Sequence, residues 1–222
     1  MSLRWFLDTA VVSEWHAWMP TGLFFGITTN PVLLERAGER CTVERLTALA
    51  AGAFELGAHE LHAQAWGPTP EAMVDVGRAL FAIDPRVVVK VPITREGAVA
   101  AARLVQAGVP VTMTALYAAH QAATAMALGA SYAAPYLGRM DEIGRDGHGI
   151  VLSMQRMIRA TGSPMRLLVA SVRDVSSIPR LVEQGVDTFT LSPSLLPGLF
   201  DDPATLAAAA DFERASRSAA SE

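Results

Sequence analysis

The chain has 222 residues, of which 51% are hydrophobic and 18% charged, and it carries a formal net charge of −4. That length and apolar content suit one domain with a large core and exclude a disordered chain. The acidic balance argues against a nucleic-acid binder, whose surface is normally basic, and no uninterrupted apolar run reaches the ~18 residues of a membrane span.

In chain order, short apolar segments of β character alternate with segments of helical spacing. Residues 4–8 (RWFLD) and 23–27 (LFFGI) open the series as strands. Asp8 and Glu14 stand where a secretory leader would have to stay apolar. A helix over 43–56 leads to a strand at 60–65, and a helix over 70–81 to a strand at 87–91. Helix 96–107 precedes strand 110–114, and helix 118–128 precedes strand 131–136. Helix 149–161, strand 166–171, helix 175–184 and strand 187–192 complete the series. Several of the strands are rich in Val, Ile, Phe or Tyr and do not alternate, as parallel strands buried on both faces do not. Gly57, Gly108 and Gly185 directly follow three of the helices, the position of a C-terminal cap. Eight such units without a linker predict an α/β fold, a closed (β/α)8 TIM barrel over residues 1–205. The alternative is an open doubly wound sheet, but no Gly-x-Gly-x-x-Gly follows the first strand. Residues 206–222 are Ala-rich with scattered charges and are expected to begin as a helix and end frayed.

A barrel builds its active site at the carboxyl ends of its strands. The polar residues there are Asp8, then Thr28, Thr29 and Asn30, then Gln64, Lys90 and Thr114. Tyr136 and Arg139 close strand six, Ser171 and Arg173 follow strand seven, and Ser192 follows strand eight. Lys90, in VVVKVP, is the only lysine among 18 Lys and Arg residues. Its ordinary reading is a lysine whose stem lies along apolar surface, but the flanking valines leave no exposed face. Arginine cannot be deprotonated in a protein and forms no imine, whereas lysine does both. Burial can lower a lysine pKa by ~3–5 units, which yields a nucleophilic amine near neutral pH. A Schiff base with a carbonyl substrate is the chemistry this predicts.

The remaining groups each carry two readings. Asp8 is either a helix N-cap or a carboxylate that moves protons on a substrate hydroxyl. Asn30 belongs to a turn with Pro31 at the first helical position, and it can also donate to and accept from sugar hydroxyls. Gln64, Thr114 and Tyr136 are uncharged hydrogen-bonders able to hold a water for proton relay. Arg139, Ser171 and Arg173 stand at a common barrel position for phosphate, with salt bridges to Asp141 or Asp174 as the structural alternative. His16, His59, His62, His120 and His148 show no metal-ligand spacing, and Cys41 does not join them. A lone cysteine forms no internal disulfide and suits a reducing cytosol, so a cytoplasmic protein is expected.

The stretches FLDTA, GITTNP, AQAW, VVVKVPITREG, TALYAAHQA, SYAAPYLGRMD and LLVASVRD resemble, in order and spacing, the small transaldolase family and its fructose-6-phosphate aldolase branch. The likeness runs from Asp8 to Ser192. It implies a class I enzyme without metal or organic cofactor, acting on a small-molecule sugar phosphate. Lys90 would form an imine with the ketone of a ketose phosphate, and Asp8 would take the C4 hydroxyl proton. Thr28 and Asn30 would hold the dihydroxyacetone part, and Arg139, Ser171 and Arg173 the phosphate. Gln64, Thr114 and Tyr136 would surround the catalytic water. Gln64 and Tyr136, where the transaldolases carry Glu and Phe, point to aldol cleavage rather than transfer. Arg173 departs from the lysine usual in the aldolase branch, and Trp66 is bulkier than expected. The resemblance further implies a homo-oligomer, with rings assembled through the C-terminal helix. Two other classes compete: a barrel that binds a sugar phosphate without turnover, and a lysine barrel holding pyridoxal phosphate.

Overall fold

The computed structural model describes residues 3–219 and contains eight parallel strands that close into a barrel in chain order. The strands are β1 (Arg4–Asp8), β2 (Phe24–Thr28), β3 (Glu60–Gln64), β4 (Val87–Pro92), β5 (Val111–Leu116), β6 (Tyr132–Pro135), β7 (Arg166–Val169) and β8 (Thr188–Leu191). The expected (β/α)8 TIM barrel is therefore the observed fold. The helices are α1 (Val12–Trp18), α2 (Pro31–Arg36), α3 (Val43–Glu55), α4 (Pro70–Phe81), α5 (Arg95–Gln106), α6 (Ala119–Ala127), α7 (Leu137–Glu142), α8 (Gly147–Thr161), α9 (Ser177–Val182) and α10 (Pro203–Ala219).

Local chemistry sets most helix starts. The hydroxyls of Thr42, Thr69 and Thr94 accept from the backbone N–H groups of Arg45, Ala72 and Gly97, and the Asp146 carboxylate from Gly149. Each such cap stabilises its helix by about 1 kcal/mol. Gly57, Gly108 and Gly185 adopt positive φ (88°, 79° and 79°), the left-handed turn that ends a helix. Helices α1, α2 and α7 are six or seven residues long, too short to show a periodicity. Arg139, expected to close strand six, consequently sits on α7. The segment read as helix 175–184 shrinks to α9, because Asp174 caps the backbone N–H of Ser176 in a turn that precedes it.

Two apolar layers follow from the strand period of two. On β4, Val87, Val89 and Val91 face the helices and join the outer core, whereas Val88 points into the barrel with Phe6, Tyr132, Ala134 and Leu168. Below this inner layer the floor is polar and linked by hydrogen bonds. Arg4 donates to the Tyr132 hydroxyl at 2.9 Å, and that hydroxyl donates to Glu60 at 2.9 Å. His62, completely buried, lies 2.9 Å from both Glu60 and the Thr112 hydroxyl. Burial lowers the His62 pKa, so the ring is neutral: Nε2–H donates to Glu60 and Nδ1 accepts from Thr112. Burial pushes the Glu60 carboxyl up, but His62, Tyr132 and the Arg4 charge outweigh it and the net shift is downward.

Helix α10 starts at Pro203, ahead of the expected residue 206, and residues 203–217 are all exposed. The expected frayed end of the tail falls on residues 220–222, which lie outside the described residues. No helix among the described residues is long and apolar enough to cross a membrane.

Candidate active site

At the carboxyl ends of the strands opens a cavity of about 420 Å³. Asp8, Asn30, Gln64, Lys90, Thr114, Tyr136, Arg139, Ser171 and Arg173 line it. Thr28 does not, since it is fully buried behind Asp8.

Lys90 occupies the inward position of β4 next above Val88, in register with Gln64 on β3 and Thr112 on β5. Its side chain is 4% exposed. Nζ donates to the Thr29 carbonyl at 2.9 Å, and among the described residues it forms no ion pair. Burial lowers its pKa, and the Asp8 charge opposes that shift only in part. Burial thus favours the deprotonated form, and in that form an amine bound to a single carbonyl keeps its lone pair free for attack.

Asp8 ends β1 and is not a helix N-cap; Val11 holds that place ahead of α1. Its Oδ1 accepts the Thr28 hydroxyl at 2.6 Å. Asn30 does cap a helix. Its Oδ1 accepts from the backbone N–H groups of Val32 and Leu33 at 3.0 and 3.1 Å, with Pro31 at the first helical position. The cap occupies the oxygen, so Asn30 meets the cavity as a donor, where both donation and acceptance had been expected.

Across the mouth, the Tyr136 hydroxyl lies 3.0 Å from that of Thr114. Its ring packs edge-on against Tyr117 with centroids 5.7 Å apart, and the Arg139 guanidinium stands 5.1 Å from its centroid. Burial raises the Tyr136 pKa, assisted by the Asp8 charge, against the Thr114 hydrogen bond and Arg139. The phenol therefore holds its proton through the neutral range and is available as a donor.

Ser171 has a left-handed backbone (φ 58°), and its buried hydroxyl oxygen has no protein partner. Such strain in a non-glycine residue costs about 1–3 kcal/mol and collects where ligands bind. The Gly138 backbone N–H donates to the Ser171 carbonyl at 2.8 Å, and a Cβ at Gly138 would lie 2.5 Å from that oxygen, so only glycine admits this approach. Arg173 pairs with Glu142 at 2.8 Å rather than with either expected partner. Asp141 accepts from the Gly147 backbone and Asp174 from that of Ser176. The Arg173–Glu142 pair is exposed and holds the guanidinium by only about 0–1 kcal/mol, which leaves Arg173 free to turn to an anion.

Thr190, Tyr117 and Arg36 also line the cavity and had not been singled out. Thr190 lies inside an apolar strand, and Arg36 ends a short helix of which only the start at Pro31 had been read. The register shift in β5 between Thr114 and Leu116, with Ala115 at φ 62°, carries that strand past its expected end towards Tyr117. No group of three or more His, Cys, Asp or Glu that could hold a metal occurs among the described residues.

Residues 5–222 match the model of a family described as transaldolase/fructose-6-phosphate aldolase. A protein of Thermus thermophilus named probable transaldolase is 35% identical over 204 residues, covering 90% of this chain and 92% of its own. Proteins of the same name from Caulobacter sp. (strain K31) and Methanococcus maripaludis (strain C7) are 34% identical over 198 residues and 32% over 205. These cover 89% and 91% of this chain, and 88% and 92% of their own.

Proposed function

The chain belongs to the transaldolase/fructose-6-phosphate aldolase family of enzymes, and on that premise we propose that it breaks a ketose phosphate between C3 and C4 through a Schiff base on Lys90. The observation that carries this reading is a dry amine without an ion-pair partner among the described residues, opening onto the same cavity as a carboxylate. Neutral Nζ adds to the C2 carbonyl, and loss of water gives an imine whose protonated form accepts electrons. Asp8 takes the proton of the C4 hydroxyl as the C3–C4 pair moves into the enamine. The aldehyde fragment then leaves with its phosphate, held by Arg139, Ser171 and Arg173. Thr28 acts through Asp8, and Asn30 donates to hydroxyls of the dihydroxyacetone part. The same reading assigns a cytoplasmic site of action, in keeping with the free thiol of Cys41.

Two fates of the enamine remain. Tyr136, held by Thr114 and protonated at neutral pH, is suited to deliver a proton to the enamine carbon, and Gln64 to hold the hydrolytic water. This favours cleavage with release of dihydroxyacetone. Transfer to a second aldehyde is the other reading, favoured by the names of the relatives. Incubation with fructose 6-phosphate and borohydride should add mass to the Lys90 peptide; a peptide of unchanged mass leaves a barrel that binds without turnover. Assay with and without erythrose 4-phosphate then separates release from transfer. Tyr136→Phe is expected to raise the transfer-to-cleavage ratio about tenfold, and an unaltered ratio removes the argument for cleavage.

Homo-oligomerisation through α10 belongs to the same reading, with a second copy of this chain as occupant. The helix leaves Leu206 54% and Phe212 73% exposed, and helices in proteins draw most of their stability from packing an apolar face. Leu206→Glu with Phe212→Glu should reduce the solution mass to that of a monomer in light scattering. A mass equal to that of the unmodified protein counts against this assembly.

A further inference from the structure

We infer that Thr190 is a positioning residue: its hydroxyl donates to Thr28, which in turn donates to Asp8, and this chain presents one oxygen of the carboxylate to the substrate. The inference rests on the role of Asp8 proposed above and extends it to a residue on the far side of β1. The inward positions of β8, β1 and β2 lie side by side where these strands pair, with Asp8 opposite Thr28 and Phe6 opposite Thr190. The Thr28 hydroxyl stands 2.6 Å from Asp8 Oδ1 and 2.5 Å from the Thr190 hydroxyl. Thr28 and Thr190 are both buried.

The direction of the bonds follows from counting protons. A hydroxyl has one proton to give, and an ionised carboxylate only accepts. Thr28 must therefore spend its proton on Asp8, and the bond between the two hydroxyls must be donated by Thr190. Polarised in series, each bond strengthens the next. Oδ1 is thereby occupied, and Oδ2 is the oxygen left to meet the C4 hydroxyl. No proton has to travel along the chain: when Oδ2 takes the substrate proton, Oδ1 of the neutral acid still accepts from Thr28. In this arrangement Thr190 acts on the reaction through Thr28 and Asp8. Without its donation Thr28 can turn away, and the carboxylate loses the fixed aim that proton abstraction requires.

Four variants (Thr190→Val, Thr190→Ser, Thr28→Val and the double Thr28→Val with Thr190→Val) test this with two readouts, cleavage of fructose 6-phosphate and borohydride trapping on Lys90. Thr190→Val keeps the shape and removes the hydroxyl; it should lower kcat for cleavage about tenfold while KM and the trapping rate stay unchanged. Thr190→Ser should restore cleavage to within about twofold. Adding Thr190→Val to Thr28→Val should cost nothing further, since the chain is already broken at its middle link. Cleavage by Thr190→Val at the unmodified rate overturns the inference, as do multiplying losses in the double variant or failure of serine to rescue. Slowed trapping in Thr190→Val overturns it too, because the effect then reaches the barrel at large. Failure of the unmodified protein to trap substrate strikes the imine reading itself and is told apart by that control.

Discussion

Lys90→Met is expected to remove carbon–carbon bond cleavage, by roughly 10⁴-fold or more, and at the same time to make the protein more stable. The two effects share one cause. The amine is held dry, against one backbone carbonyl and no ion-pair partner among the described residues. A methionine of similar volume fills the same space without a group to desolvate, so the cost of burying the amine is removed. The gain depends on pH with a definite sign. Lys90 has a lowered pKa in the folded protein, while the unfolded chain holds the proton up to the ordinary value of 10.5. Between those two values the unfolded state binds more protons, so the stability of the unmodified protein rises with pH across that window. Below the window the cost of the buried charge is present in full. The advantage of Lys90→Met should therefore be largest below that window and narrow as pH approaches 10.5, as urea unfolding at a series of pH values would show. A methionine variant less stable than the parent at every pH contradicts the dry, unpaired amine. Lys90→Arg should be equally inactive, because a guanidinium forms no imine, and residual cleavage by it would sink the Schiff-base mechanism.

Asp8→Asn is expected to slow cleavage by about 10²- to 10⁴-fold, the usual range for removal of a positioned base, with imine formation retained. Asparagine keeps the shape and can still accept the Thr28 hydroxyl through its oxygen. It places an amide nitrogen where Oδ2 had been, and that atom takes no proton. Substrate should then stop at the imine. Borohydride should trap the whole six-carbon ketose phosphate on Lys90 rather than the three-carbon fragment, and mass spectrometry of the Lys90 peptide distinguishes the two. A three-carbon adduct formed at the parent rate would move the base away from Asp8.

Much of this was legible in the chain because the fold repeats a simple unit. A single lysine in a run of valines identifies both a buried strand and the position most costly to keep, and the structure puts Lys90 at an inward site under the mouth. Asp8 and Asn30 were readable as strand-end residues, though not in full. The oxygen of Asn30 is taken by two backbone N–H groups, a consequence of the six-residue helix it starts. Short helices also hid the partner of Arg173, since Glu142 ends α7. Thr190 was invisible for a different reason. In a stretch such as TFTL a threonine reads as an ordinary strand residue, and its tie to Thr28 exists only because β8 closes on β1, 162 residues away in sequence from the partner it bonds.

The polar floor built from Arg4, Glu60 and the Tyr132 hydroxyl lies beneath a layer in which Phe6, His62, Thr112 and Leu168 are completely buried. That layer stands between the floor and Lys90, whose cavity opens at the carboxyl ends of the strands. On the proposed mechanism, the water lost on condensation, the departing aldehyde and any incoming acceptor would all pass through that mouth. On the same reading, hydrolysis and carbon transfer would compete by occupancy, since a sugar phosphate lodged in the mouth would shut out the solvent that ends the cycle.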